Sequence, residues 1–331
     1  MTKITRWIVP ACLTLGLAVA AGPQAAAQDE TYNLRFNHVL SPKHPFHAGF
    51  EKWAERVEER TDGGLQMTIY HSSQLGVEED IIEQMRQGAN IGQNTDAARM
   101  GNYVEEISVV NGPYFVETLE DAYALADSPS MQKWQQTLAD DYGLKVVCFD
   151  WVQGFRHFFT NKPVRKPEDL DGLRIRTPPA PIWQQSIDAL GAEATAMNFG
   201  DVYSGLQQRA IDGAELVYPN ITAANLNEVL DYANETGHIL LINFQVVSAD
   251  WFNGLPDSYQ TALVEECRAA GQETSEVLQT ASQEAKAELK EAGMTIVEDV
   301  DKDAFRKAGE AAYEALGVVD AKNKVQAEIS D

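Results

Sequence analysis

The sequence predicts an α/β protein of two lobes with one long helix that spans both. Strand-like and helix-like segments alternate along most of the chain, which is typical of α/β layering. Its 331 residues exceed what one compact core usually holds, so two lobes are expected. Residues 256–292 are rich in Ala, Glu, Gln and Leu, with Gly271 as the one interruption. They predict a helix of roughly nine or ten turns, long enough to cross both lobes.

The shorter elements follow from periodicity and turn residues. Apolar residues spaced by three and four between Phe46 and Val57 predict a helix that ends at the Gly-rich turn over 61–64. A second helix, over 78–87, ends at Gly88. No flexible linker is evident, which predicts more than one strand crossing between the lobes. Alternating or apolar segments predict strands over residues 32–38, 65–70, 144–149, 155–160 and 173–176.

The N-terminus has the pattern of a secretory signal. Lys3 and Arg6 precede an apolar stretch over residues 7–21, and the small residues 25–27 follow as a cleavage site. The apolar stretch is short for a membrane span, and no later segment reaches the roughly 20 apolar residues that crossing requires. We therefore expect a signal peptide over residues 1–27 and export of a soluble chain to the periplasm.

The charge balance excludes polyanionic partners. The chain has 26 Lys and Arg against 50 Asp and Glu, a net charge of −24, and loss of two further basic residues with the signal makes it −26. Such a surface repels nucleic acid and anionic lipid. An anionic ligand would need locally focused positive groups, so arginines in apolar or aromatic surroundings are the candidates.

The sequence lacks the motifs of common enzyme classes. It has no Gly-rich phosphate loop, no His-Glu-x-x-His and no Gly-x-Ser-x-Gly. His38, His44 and His47 share one proline-punctuated stretch, but zinc requires three or four convergent ligands and no Cys accompanies them. We expect loop or pocket-lining histidines, no metal, no cofactor and a protein that is not an enzyme.

Two cysteines remain after cleavage of the signal. Cys148 and Cys267 could pair in an exported protein, but nothing in the sequence shows that they are close. Cys148 lies in an apolar strand-like segment, which favours a buried, unpaired residue. Pairing stays open.

Arg156 and Arg176 are the candidates for anion binding. Each lies at the end of a predicted strand beside a Gly or Pro turn, where α/β proteins place ligand sites. A guanidinium presents a planar fork of donors that matches a carboxylate. Arg174 points to the same side of an ideal strand as Arg176, so the pattern does not separate the two. A surface salt bridge is the alternative for each.

Four motifs in register point to a known family. They resemble motifs of the solute-binding subunits of tripartite ATP-independent periplasmic (TRAP) transporters, the DctP family, in order over roughly residues 30–320. The motifs are residues 72–76 (SSQLG), 171–178 (DGLRIRTP), 190–192 with 197–203 (LGA and MNFGDVY) and 206–215 (from LQ to IDGAE).

The resemblance implies the site residues. The most constant ligand contact of that family falls on Arg176, which settles the choice over Arg174, and a second arginine falls on Arg156. An aromatic contact falls on Phe199. In the sialic-acid-binding branch an acidic and a basic residue also touch ligand, and the matching positions are Asp96 and Arg99.

The resemblance also implies the architecture and the partners. We expect a two-lobed periplasmic binding protein of the Venus-flytrap type with the long helix across both lobes. Lobe I comprises residues 28–152 and 240–275, and lobe II comprises 153–239 and 276–331. The partners are a small organic anion and the membrane subunits of a sodium-driven TRAP transporter, and the expected form is a monomer.

One departure bears on the ligand. Sugar-acid binders of the family usually carry Asn directly after Asp-Gly-x-Glu, where this chain has Leu216. Sialic acid and uronates are therefore disfavoured. Glu215 could join a cation site, as in keto-acid binders that hold a metal with the ligand, and this stays open. Aromatic residues in or beside the segments expected to line the cleft suggest an apolar wall: Trp151, Phe155, Trp183, Phe199 and Tyr218.

The sequence thus predicts a TRAP-type binding protein for a small monocarboxylate, aromatic or short-chain. A binding protein of an ATP-driven transporter would share the lobes and the export signal, but the motifs and the single long helix disfavour it. A secreted hydrolase is the alternative of a different class. It would require a nucleophile or an acid/base pair that converges on Arg176.

Overall fold

Alternating strands and helices build the chain, as the periodicity predicts. The computed structural model describes residues 1–3 and 31–330, and every strand and helix lies in the second range. In chain order the strands are β1 (Tyr32–Asn37), β2 (Leu65–Tyr70), β3 (Ile91–Asp96), β4 (Leu144–Thr160), β5 (Arg174–Thr177), β6 (Glu193–Ala196), β7 (Gly213–Leu216), β8 (Tyr232–Ser248) and β9 (Thr295–Val297).

The helices cover the sheet on both faces. In chain order they are α1 (Pro45–Arg60), α2 (Glu78–Arg86), α3 (Ala97–Met100), α4 (Leu119–Ala124), α5 (Pro129–Tyr142), α6 (Pro181–Ala189), α7 (Val202–Gln207), α8 (Tyr218–Ala223), α9 (Ala249–Asn253), α10 (Asp257–Glu291), α11 (Lys302–Ala315) and α12 (Val319–Ser330). Within residues 31–330, no helix is both long and apolar enough to cross a bilayer. The predicted signal segment, residues 1–27, lies outside the described residues apart from its first three.

Two long strands join the two halves of one mixed sheet. The strand order is β2-β1-β3-β8-β4-β7-β5-β6, and β9 pairs with β8. Strands β4 and β8 have 17 residues each and pair antiparallel along their length. The end of β8 pairs with β3 and, on its other side, with the start of β4. At the opposite end of this pair, the end of β4 pairs with β7 and the start of β8 pairs with β9. These are the crossing strands that the sequence predicts, and the two halves are the two lobes.

The register of β4 against β8 shifts where the strands pass from one lobe to the other. One of these shifts falls between Val152 and Gly154. Gly154 has φ of +115°, a backbone conformation that side chains with a Cβ rarely adopt. The sequence predicts two separate strands, over 144–149 and 155–160, and this is wrong. The chain stays in one strand because bulges absorb the irregular segment between them.

The predicted long helix is confirmed as α10, with 35 residues and a length of about 52 Å at 1.5 Å per residue. It packs on α1 and β4 at one end and on α8 toward the other. Gly271 is required inside this helix by close packing, because a Cβ there would lie 2.6 Å from the Trp151 ring. Trp151 Nε1 in turn donates to the carbonyl of Cys267 at 3.1 Å.

A disulfide joins β4 to α10. Cys148 and Cys267 are bonded across 119 residues of sequence, with their Cα atoms 6.1 Å apart. The expectation of an unpaired Cys148 is wrong, although the residue is buried as expected. Periodicity reveals that each cysteine faces inward, but it carries no information about which helix covers which strand.

The C-terminal helices return to both lobes. Helix α11 packs on α6, and α12 packs on α5 and the segment that follows α4. Tyr313 donates its hydroxyl to the carbonyl of Pro113 at 2.8 Å, which ties α11 to the first half of the chain. The lobe boundaries stated above stay a prediction.

Removal of the disulfide should lower stability without changing the fold. The Cys148→Ala/Cys267→Ala variant should lose about 2–4 kcal/mol of unfolding free energy, because the unfolded chain regains the freedom of a long closed loop. Urea unfolding monitored by circular dichroism measures this. Dithiothreitol should lower the wild-type midpoint to that of the variant and leave the variant unchanged. Equal midpoints for the wild type and the variant, both without reductant, would contradict the assignment.

Candidate ligand-binding site

A small cavity lies between the lobes, at the centre of the sheet. This inner cavity has a volume of about 50 Å³. Its polar and charged lining comes from both lobes and comprises Glu78, Asn94, Asp96, Arg99, Gln153, Arg156, Arg176, Asn220 and Asn243. Its apolar lining comprises Val39, Leu40, Pro178, Trp183, Phe199, Leu216 and Leu241. An outer cavity of about 330 Å³ shares Val39, Glu78, Arg99 and Phe199 with it.

Arg176 lines the inner cavity as a buried cation. It lies near the end of β5 and is 2% exposed. Its Nε donates to the carbonyl of Met197 at 2.8 Å, and its guanidinium lies 5.9 Å from the ring centroid of Phe199. Burial lowers the pKa of Arg176 to about 9, so the side chain stays charged at neutral pH. Among the described residues, no carboxylate forms a salt bridge with it.

The positive charge of Arg156 is balanced by the buried carboxylate of Glu215. Its Nε donates to Glu215 Oε2, and its Nη2 donates to the main-chain carbonyl of Glu215 at 2.5 Å. Thr177 donates its hydroxyl to the other carboxylate oxygen at 2.8 Å. The guanidinium of Arg156 also stacks on Trp183, 4.7 Å from its ring centroid. Arg156 therefore faces the cavity as a fixed donor whose charge is already balanced.

Glu215 lies behind the cavity wall and is fully buried. Burial raises the pKa of Glu215, but the guanidinium of Arg156 and the nearby ring of His238 outweigh burial and hold the pKa at about 2. Its oxygens are held by Arg156 and Thr177, with His238 Nε2 3.8 Å away. The guanidinium of Arg156 balances the charge of Glu215, and the hydroxyl of Thr177 donates to its other carboxylate oxygen.

Asp96 and Arg99 form part of the wall contributed by the first lobe. Asp96 caps α3 by accepting from the Arg99 backbone N–H at 2.8 Å, and the Arg99 Nη1 donates to the same carboxylate at 2.5 Å. Arg99 Nε also donates to Glu79 at 2.9 Å and lies 3.3 Å from Glu78 Oε2. Trp183 of the second lobe donates to Asp96 at 3.4 Å. This contact bridges the cleft.

Side-chain amides supply most of the remaining polar surface. Gln153 donates to Asn243 at 3.0 Å, and Asn243 donates to the carbonyl of Thr95 at 2.9 Å. Within the described part of the chain, Gln153 Oε1 and Asn220 Oδ1 are buried and accept no hydrogen bond. Buried polar groups are normally satisfied, so these two atoms suit a ligand that brings hydroxyl donors.

The aromatic residues separate into three places. Trp183 and Phe199 line the inner cavity, and Leu216 lies beside them. Trp151 lies in the core of the first lobe, fully buried and stacked 4.6 Å from Phe50. Phe155 and Tyr218 line a different cavity, of about 350 Å³, between β4 and α10. A wall built from all five aromatics, as expected from the sequence, is therefore not formed.

The histidines of the N-terminal stretch have structural contacts. His44 Nδ1 accepts from the backbone N–H of Phe46 at the start of α1, and His38 and His47 hydrogen-bond to each other at 3.0 Å. Burial lowers the pKa of His38 and of His44 to about 3, so both rings are neutral.

Sequence reasoning missed Glu78 and the amides. For the amides the available signal was β3, whose six residues IGQNTD are all buried although four of them are polar. Glu78 begins α2 and lies outside this strand. Polar residues in the middle of a buried strand face either a hydrogen-bond partner or a cavity. Asn243 and Gln245 in β8 carry the same signal.

Breaking the buried Arg156–Glu215 pair should lower the stability of the protein far more than breaking an exposed ion pair. Glu215→Gln should lower the free energy of unfolding at pH 7 by about 3–5 kcal/mol, because Arg156 is left buried without its counter-charge. The control Asp212→Asn, whose partner Arg174 is half exposed, should cost about 0–1 kcal/mol.

The same pair predicts a pH dependence. The folded pKa of Glu215 lies below its ordinary value of 4.5, so its stabilisation is present above pH 4.5 and is lost as the pH falls toward 2. The difference between wild type and Glu215→Gln should shrink over that window in urea titrations. A difference that stays constant would contradict the pairing.

The chain resembles proteins of one transport family throughout. Residues 36–318 match the family described as bacterial extracellular solute-binding protein, family 7. The 2,3-diketo-L-gulonate-binding periplasmic protein of Escherichia coli is 28% identical over 304 residues, covering 92% of this chain and 91% of the relative. The C4-dicarboxylate-binding periplasmic protein of Rhodobacter capsulatus is 26% identical over 293 residues, covering 88% and 87%.

Solved structures agree with this result. A TRAP periplasmic solute-binding protein from Actinobacillus succinogenes with bound L-galactonate is 29% identical, with a TM-score of 0.84 over 90% of this chain and 99% of that one. One from Ochrobacterium anthropi with bound L-fuconate is 26% identical, with a TM-score of 0.86 and the same coverage. The chain belongs to family 7 of the bacterial extracellular solute-binding proteins, the binding subunits of TRAP transporters.

Proposed function

We propose that this protein captures a short-chain hydroxylated monocarboxylate in the periplasm and delivers it to the membrane subunits of a sodium-driven TRAP transporter. The observation that carries the proposal is Arg176, a cation buried between the lobes with no salt-bridge carboxylate among the described residues. A buried charge without a partner is costly, and an anionic ligand would supply that partner.

A carboxylate suits this arginine. Its Nε is committed to Met197, which leaves the terminal nitrogens to receive an anion as a fork. Arg156 lines the same cavity and can donate to the same ligand while Glu215 balances its charge. One cation remains to be balanced, which favours a single carboxylate.

The rest of the lining supports a hydroxylated body over an aromatic one. Gln153 and Asn220 present buried acceptors, whereas the aromatic lining is limited to Trp183 and Phe199. Trp183 is already stacked on Arg156. The solved relatives with bound L-galactonate and L-fuconate hold open-chain acids of this chemistry. Leu216 adds an apolar contact where a pyranose uronate would need a polar one, so uronates stay disfavoured.

Capture would proceed by closure of the lobes. Residues 28–152 with 240–275 would move against residues 153–239 with 276–331, about a hinge at the register shift near Gly154. The Asp96–Trp183 contact across the cleft supports a closed form held by side chains from both lobes. We further propose that the chain works as a monomer after loss of a signal peptide over residues 1–27.

Arg176→Lys should abolish most of the affinity while the lobes still fold. Lysine keeps the charge but loses the planar fork and the hydrogen bond to Met197. We expect a loss of about tenfold or more in calorimetry with L-galactonate. The control Arg174→Lys, two residues earlier on β5 and paired with Asp212 at the surface, should bind like wild type. Equal affinity of Arg176→Lys and wild type would remove Arg176 from the site.

A thermal-shift panel tests the ligand class. L-galactonate, D-gluconate and L-lactate should raise the melting temperature, because a ligand at 100 times its Kd stabilises by about 2.7 kcal/mol. Benzoate should give a smaller shift, since it leaves the buried acceptors of Gln153 and Asn220 unsatisfied. D-glucuronate should give none. Shifts with benzoate or glucuronate alone would overturn the proposed class.

A further inference from the structure

We propose that Glu78 sets the charge selectivity of the cleft: it excludes a second anionic group of the ligand where the inner and outer cavities meet. This rests on the proposed function, in which Arg176 holds the ligand carboxylate. One of the relatives above is named for binding C4-dicarboxylates, so members of this family differ in the number of charges they accept. The question is which residue decides this here.

Glu78 lies at the position that a ligand extending outward must pass. Four residues line both cavities, and Glu78 and Arg99 are the charged members of that set. Glu78 is the first residue of α2, and its side chain is 10% exposed. Whatever part of the ligand lies away from Arg176 and reaches the junction therefore meets this carboxylate.

Above its pKa of about 7, Glu78 carries a negative charge at the junction of the two cavities. Its Oε2 is buried and accepts no hydrogen bond among the described residues. The nearest cation, Arg99, is 3.3 Å away, but that guanidinium already donates to Asp96 and Glu79. Three carboxylates thus share one arginine. A further carboxylate from a ligand would add repulsion that no local cation compensates.

A hydroxyl at the same place would be accepted. An open-chain acid that ends in CH₂OH can donate that hydroxyl to the part of the Glu78 carboxylate that is exposed at the junction. The matching acid that ends in a second carboxylate has no proton to donate at neutral pH and brings a like charge instead. Asp201, exposed in the lining of the outer cavity, adds the same sign further out. The junction is therefore selective for a neutral, donating end group.

The selectivity should weaken in acid. Burial is the main cause that raises the pKa of Glu78 to about 7, with Asp96 and Glu79 acting in the same direction and Arg99 against them. The negative charge of Glu78 in turn raises the pKa of Arg176 in the second lobe. Below that pKa the group is protonated and no longer repels an anion. The affinity for a dicarboxylate should rise as the pH falls from 8 to 6, a range in which ordinary ligand carboxyls stay ionised.

A matched ligand pair tests the proposal. Galactonate and galactarate differ in one end group, CH₂OH against carboxylate. Calorimetry at pH 8 should show wild type binding galactonate about tenfold or more tighter than galactarate. In Glu78→Gln, which keeps the shape and an acceptor but removes the charge, the two affinities should agree within about threefold. The pH dependence of galactarate binding should disappear in that variant.

Asp80→Asn is the control. It removes a carboxylate from the same first turn of α2, but this side chain is exposed, lines neither cavity and is not one of the three carboxylates paired with Arg99, so the wild-type preference should persist. Retention of that preference in Glu78→Gln, or equal loss of it in Asp80→Asn, would overturn the role of Glu78. Tighter binding of galactarate by wild type would overturn it as well, while leaving carboxylate capture by Arg176 intact. Failure of wild type to bind any carboxylate would refute the proposed function, and this proposal with it.

Discussion

The antiparallel pairing of β4 with β8 is the constraint on which the rest of the molecule depends. Both strands run through both lobes, so the lobes share their central hydrogen bonds and cannot separate. The register of β4 against β8 shifts near Gly154, and side chains close to this shift face the inner cavity. Gln153 and Arg156 on β4 and Asn243 on β8 line the inner cavity from this region. The joint between the lobes and the floor of the site are therefore the same piece of sheet.

Charge inside the cleft follows a different rule from charge on the surface. The surface is strongly acidic, with a net charge of −24 for the chain, and would repel an anion at long range. Inside, Arg156 is balanced by Glu215, Arg99 is surrounded by three carboxylates, and Arg176 forms no salt bridge among the described residues. Desolvation makes each of these interactions stronger than its surface equivalent. Specificity can thus arise from a few buried groups against an unfavourable overall field.

Local patterns in the sequence predicted the elements well where periodicity was strong. The long helix α10, the helix α2 and the strand β1 lie within one or two residues of their predicted bounds, because spacing alone reports which face is buried. The choice of Arg176 over Arg174 came from resemblance and agrees with burial, since Arg176 is buried and Arg174 is half exposed beside Asp212. Their alternation on one strand could not distinguish them.

The positions of the aromatic residues could not be predicted from local patterns. Trp151 and Phe155 lie four residues apart on β4, yet one is packed under α10 and the other faces a different cavity, because bulges change the direction of successive side chains. Glu78 and the amides were missed for a related reason. Whether a buried polar side chain meets a protein partner or a cavity depends on residues distant in sequence.

The sequence by itself determined the α/β class, the long helix, the acidic charge and, through motifs in register, the family and its arginines. These depend on local spacing and composition, which a single chain displays directly. Only the tertiary structure decided that Cys148 meets Cys267, that Trp151 belongs to the core and that Glu78 stands where the two cavities meet. Each of those facts is a contact between segments far apart along the chain. Such contacts arise from the packing of whole elements, which no local pattern records.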